Sequence, residues 1–86
     1  MIKINKSISV RKIEKEIFIF DRRSSMVHSL NRVASFIWEL LTNEVDPKDI
    51  PEKLCNQFEV DKETAQKDVH AFVHTLKETN IVHTIS

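Results

Sequence analysis

Between Met26 and Leu41 the hydrophobic pattern changes period in mid-course. Met26-Val27-His28-Ser29-Leu30 reads as a strand. From Arg32 onward, Val33, Ala34, Ile37, Trp38 and Leu41 recur at helical spacing. Asn31 stands at the change, where its side chain can accept a hydrogen bond from the free N–H groups that open a helix. A strand must therefore run almost directly into an amphipathic helix, and the two must share a core.

The residues before this run are extended. Ser7 to Ile13 alternates at first, with Ile8 and Val10 two apart, and Glu14-Lys15 interrupts it. Glu16 to Asp21 follows, with Ile17, Phe18, Ile19 and Phe20 in a row, a density of β-branched and aromatic residues that favours a strand. Arg22 to Ser25 is a polar connection. Three strands so joined suit an antiparallel meander. Ile17 to Phe20 is apolar on both faces. Helices can cover one face. The N-terminal segment Ile2-Ile4, a partner chain or a bound ligand must cover the other.

The residues after it are helical. The first helix spans about Arg32 to Thr42. Asp46-Pro47 is a cap followed by proline, a good start for a second helix with Ile50, Leu54 and Phe58 as its apolar stripe. Pro51 requires either that the helix begins there or that residues 47–50 form a looser turn, because proline clashes inside a helix. Asp61 caps a third helix from about Lys62 to Thr79, with Ala65, Val69, Phe72 and Leu76 along one face. Ile81 to Ile85 reads as a short final strand or tail. The predicted class is α+β and winged-helix-like. It is a single domain over 1–86, with a three-stranded antiparallel sheet at about 7–30 and a three-helix bundle at about 31–80.

Composition narrows the chemistry. There is no glycine, so no glycine-rich phosphate loop exists and other residues must take any positive-φ position. Asn43 and Asn80, just past two predicted helices, are the candidates. The single cysteine, Cys55, permits no internal disulfide, sits one residue beyond Leu54 and reads as half-buried packing. A lone thiol, no apolar run of membrane length and no apolar signal segment at Met-Ile-Lys-Ile-Asn-Lys describe a cytoplasmic protein. Net charge is zero but unevenly spread: residues 1–23 hold seven Lys/Arg against three Asp/Glu, and residues 39–79 hold five Lys against ten Asp/Glu. Such charged faces ordinarily keep a small domain soluble.

No catalytic constellation stands out. His70 and His74 lie one helical turn apart, a spacing that can hold a metal, yet Ala71 follows His70 where a zinc protease has glutamate, and no further ligands sit at recognisable spacing. No metal is expected. A winged helix can also serve as a DNA-binding or protein-interaction regulator. Lys62, Lys67 and Lys77 on the third helix are offset by Glu63, Asp68 and Glu78, which leaves no basic face for phosphates. Peptide binding fits better. The strand at Met26–Leu30 forms an edge, and Ser25 to Leu30 carries neither the Lys nor the Pro that usually blunts one. An extended peptide can add there as a strand. On the third helix Val73 flanks the core stripe among Gln66, His70 and Lys77, as a groove wall requires and as an ordinary wide stripe also looks. An open edge also allows a homodimer.

Leu30-Asn31 opening a helix with Ala34, Ile37-Trp38 and Leu40-Leu41 resembles the pyrroloquinoline-quinone biosynthesis protein D family. So do Ile50, Leu54, Phe58 and Val60, then Asp68-Val69, Phe72-Val73 and Leu76, then Asn80-Ile81-Val82 where the family often has glycine and two apolar residues. The match runs from about Ser7 to Val82. The resemblance implies a non-catalytic module without a cofactor. Such a module holds the leader of a ribosomally made precursor peptide as an added strand and presents it to a radical S-adenosylmethionine or other maturation enzyme. From the charge balance and the lack of a membrane-length apolar run, no nucleic acid and no membrane partner is expected. Carried over by position, the peptide-facing residues are Met26, Val27, His28 and Ser29 on the strand and His70, Val73 and Lys77 on the helix, with Asn31, Ile37, Trp38 and Leu41 structural.

Overall fold

The computed structural model describes residues 2–85. Its elements, in chain order, are β1 (Ile2–Ile4), β2 (Ile8–Ile13), β3 (Glu16–Asp21), β4 (Met26–Leu30), α1 (Arg32–Thr42), α2 (Ile50–Gln57), α3 (Lys62–Glu78) and β5 (Val82–Ile85), with a 3-10 turn at Pro47–Asp49 before α2. The class is α+β: β2, β3 and β4 form an antiparallel meander, and three helices follow.

The meander's register follows from its turns. Ile13 pairs with Glu16 across the two-residue turn Glu14-Lys15, and Glu14 takes φ 57, a position glycine usually fills in a type II′ turn. A two-residue turn closes on a hydrogen-bonded pair, so Glu16, Phe18 and Phe20 direct their backbone groups at β2. Arg22 continues the alternation, its N–H donating to Ser7 O at 3.0 Å. Ile17, Ile19 and Asp21 then point toward β4, where they oppose Leu30, His28 and Met26. By the same alternation Val27 and Ser29 turn their N–H and C=O groups away from the sheet, to an open edge.

Ile17 and Ile19 bury their side chains beneath α1, which contributes Ile37, Trp38 and Leu41 to the same core. Ile50 and Leu54 of α2, Ala65, Val69 and Leu76 of α3, and Ile81 and Val82 complete it. Phe36 and Phe58 meet edge to face with ring centres 5.5 Å apart, fastening α1 to the end of α2. Ser35 joins helix to sheet from inside the core. Its Oγ accepts the Ile17 N–H at 3.0 Å and donates to Leu30 O at 3.2 Å.

The caps fall at Asn31, whose Oδ1 accepts the Ala34 N–H at 2.8 Å, and at Asp61, whose Oδ1 accepts the Thr64 N–H at 2.7 Å. The Thr64 bond holds the Asp61 carboxyl below the usual carboxylate range. Pro51 is accommodated in the first turn of α2, because residues 47–49 make a separate 3-10 turn capped by Asp46.

Two expectations are corrected. Asn43 does not take the left-handed conformation. It lies at φ −91, and Glu44 adopts φ 65 instead. The reason is the hydrogen-bond pattern at the end of α1. Glu44 N–H reaches Leu41 O and Val45 N–H reaches Leu40 O, a Schellman motif whose left-handed residue is the one after the cap. The same motif ends α3, with Asn80 N–H on Lys77 O and Ile81 N–H on Leu76 O, and there Asn80 does take φ 59. Nor does the N-terminal segment cover the second face of the sheet. Ile2–Ile4 pairs antiparallel with Val82–Ile85 instead, and Ile13, Phe20 and Val27 remain exposed.

Asn5 fixes that pairing to the rest. Its N–H donates to Ile81 O at 2.9 Å, its Nδ2 to Asn80 O at 3.2 Å, and its Oδ1 accepts the Ser7 N–H at 2.9 Å.

Candidate functional site

The open side of β4 borders a groove of about 720 Å³. Val27, His28 and Ser29 form one wall, and Asp68, Ala71, Phe72 and Thr75 of α3 form the other. Val33, Ala34 and Ile37 of α1 make an apolar floor. Strand and helix face each other because α1 starts immediately after β4 and α3, packed chiefly on α2, shares the same core through Ala65, Val69 and Leu76.

The turn between β3 and β4 fixes the far end. Asp21, 6% exposed, holds Arg23 through two contacts, Oδ1 to Nε at 3.0 Å and Oδ2 to Nη2 at 2.8 Å. It also accepts the Arg23 N–H at 3.0 Å. Arg23 Nη2 donates in addition to Thr79 O at 3.1 Å, at the C-terminal end of α3 where a cation is favoured. The Arg23 side-chain bond outweighs burial and brings the Asp21 carboxyl from 3.8 down to about 2. The start of β4 is thereby pinned near the end of α3, so the two elements run antiparallel. By that direction the Val27 end of the strand lies toward Thr75 and the Leu30 end toward Asp68. Seven steps of helix, Asp68 to Thr75, and three steps of strand, Val27 to Leu30, both span about 10 Å, so the walls match in length.

The site residues expected from the sequence divide between places. Val27, His28 and Ser29 line the groove. Met26 lies beyond it, in a smaller hollow of about 220 Å³ with Phe20 and Val27. His70 and Val73 line a separate hollow of about 320 Å³ on the other flank of α3, with Pro47, Pro51 and Gln66. Lys77 is exposed and lines neither. The core stripe of α3 has two flanks, and only the antiparallel placement against β4 determines which one faces the strand. Asp68, Ala71 and Thr75, which line the groove, are for that reason not among the residues expected from the sequence. Ala71, a small exposed residue on an otherwise polar helix surface, is the signal that marks a wall an extended chain can approach.

His74 Nε2 lies 3.4 Å from Glu78 Oε1, a surface pair one turn apart. Among the described residues no group of three or more His, Cys, Asp or Glu side chains is placed to hold a metal ion. No helix among them is long and apolar enough to cross a membrane.

An edge strand facing a helix across an apolar floor is a geometry for gripping extended polypeptide. Among known families, the one described as coenzyme PQQ synthesis protein D (PqqD) matches residues 16–82, which include β3, β4 and all three helices. The chain belongs to the PqqD family. Two solved structures resemble this PqqD-family chain over nearly its whole length. "Lasso peptide synthetase B1 complexed with the leader peptide" has a TM-score of 0.86 and 28% identity, over 96% of this chain and 98% of that one. "TbiB1 in Complex with the TbiA(beta) Leader Peptide" has a TM-score of 0.84 over 98% of both chains; at 24% identity it speaks to the fold alone. No match was found among curated proteins. Against this background the DNA-binding alternative is not favoured.

Proposed function

We propose that this PqqD-family domain binds the leader of a ribosomally made precursor peptide as an added strand on β4 and presents it to a peptide-modifying enzyme. The observation that carries this reading is the open edge of β4. Val27 and Ser29 offer unpaired main-chain groups directly into a groove whose other wall is α3. Main-chain pairing supplies affinity in such additions and side-chain pockets supply specificity. The lasso peptide synthetase B1 structure, solved with its leader peptide, supports the same use of the fold. Catalysis lies with the partner, a radical S-adenosylmethionine or other maturation enzyme. The domain contributes by tethering, which raises the local concentration of the precursor's core at that enzyme's active site.

The test is isothermal titration of this protein with the leaders of short peptides encoded beside its gene. One leader is expected to bind one to one, and Val27→Pro is expected to abolish the heat while leaving the circular dichroism unchanged. A folded Val27→Pro that binds as tightly as the parent chain rules out strand addition at β4. Absence of binding to every neighbouring leader removes the recognition role.

A further inference from the structure

A strand laid beside β4 alternates its side chains as β4 does. Residues opposite His28 and Leu30 turn inward, toward the floor and α3, and those opposite Val27 and Ser29 turn to the outer face of the sheet. With β4 and α3 antiparallel, the inward position opposite His28 falls away from the Asp68 end, toward the apolar part of a lining that includes Phe72, Val33 and Ile37. The next inward position, two residues along toward Leu30, lies at the Asp68 end.

Asp68 is the single Asp, Glu, Lys or Arg lining the groove. It is exposed and forms no ion pair among the described residues; the adjacent Lys67 is engaged by Glu63 at 3.3 Å. A lysine or arginine entering from the peptide can lay its methylenes along Ala34 and Ala71 while its head reaches the carboxylate. An acidic residue there meets a like charge.

We propose that the groove selects an extended peptide with an apolar side chain opposite His28 and a lysine or arginine two residues away, facing Asp68. This deepens the leader-binding reading and rests on it.

Random dodecapeptides displayed on phage, panned against the parent protein, Asp68→Asn, Asp68→Lys and Val27→Pro, test it. All four are first checked for folding by circular dichroism. Peptides retained by the parent and lost by Val27→Pro are expected to carry Lys or Arg two residues from an apolar residue. Asp68→Lys is expected to select Asp or Glu at that position. A synthetic parent-selected peptide is expected to bind Asp68→Asn about two- to fivefold more weakly, as for exposed ion pairs. The difference is expected to shrink in 1 M salt, where screening acts within about 3 Å. Capture that depends on Val27 but shows the same residue preferences with Asp68 and with Asp68→Lys overturns the charge selection and leaves strand addition standing. No Val27-dependent capture by the parent overturns both.

Discussion

Ser35 shows how much one side chain can fix. Its hydroxyl serves a β3 N–H and a β4 carbonyl from within α1. Ser35→Ala leaves a buried donor without a partner, and a loss of about 1–3 kcal/mol is expected in urea unfolding. Glu44 makes the opposite case. A non-glycine residue in the left-handed region costs about 1–2 kcal/mol, partly offset by the extra unfolded-state entropy of glycine. Glu44→Gly is therefore expected to raise stability by about 0.5–1 kcal/mol, whereas Asn43→Gly, at an ordinary φ, is expected to give no gain. Asp21 sets an acid limit. Its carboxyl titrates at about 2 when folded against 3.8 ordinarily, so the stability it lends is complete above pH 4 and disappears as the pH falls through about 2. Asp21→Asn is expected to flatten that limb of the stability–pH curve in acid titrations followed by circular dichroism.

Among the elements, α3 decides the site. One flank faces β4 and the other faces the 3-10 turn and α2. Ala71→Arg is expected to block leader binding with little change in thermal midpoint, since Ala71 is exposed. Val73→Ser and His70→Ala are expected to spare it. A reversed outcome in titration calorimetry moves the site to the flank of His70, Val73 and Lys77. Several element boundaries were legible because each has a local cause: Asn31 and Asp61 as caps, and a β-branched and aromatic run at Ile17–Phe20; Asp46-Pro47, read as the start of the second helix, instead opens the 3-10 turn before it. Which flank faces β4 was not legible, since the residues at 66, 70, 73 and 77 and those at 68, 71 and 75 border the same apolar stripe. The partner of Ile2–Ile4 was hidden for a similar reason. An alternating apolar triplet fits any open edge, and the one it takes lies about eighty residues away in sequence.

Across the whole molecule, a domain of this size buries only about 60% of the surface its unfolded chain exposes, so its few long-range ties matter. Asn5 and Arg23 each join the N-terminal half to the end of α3, through Ile81 and Asn80 in one case and Thr79 in the other. Asn5→Ala is expected to lower the unfolding free energy by about 1 kcal/mol in chemical denaturation, the scale of a lost hydrogen bond.

The pairing of β1 with β5 sets Ile2 directly opposite Ile85. Partners across an antiparallel ladder lie about 5 Å apart, so the chain leaves this fold almost where it enters. A fold with that property behaves as a cassette. It can be spliced into a surface loop of a host enzyme without prying the host's backbone apart, or closed into a ring and reopened elsewhere. Reopening at Glu44, in an exposed connection remote from β4, is expected to yield a permuted chain with the groove intact. Grafting the domain into a loop of an unrelated enzyme would place a peptide-capturing edge within reach of a new active site.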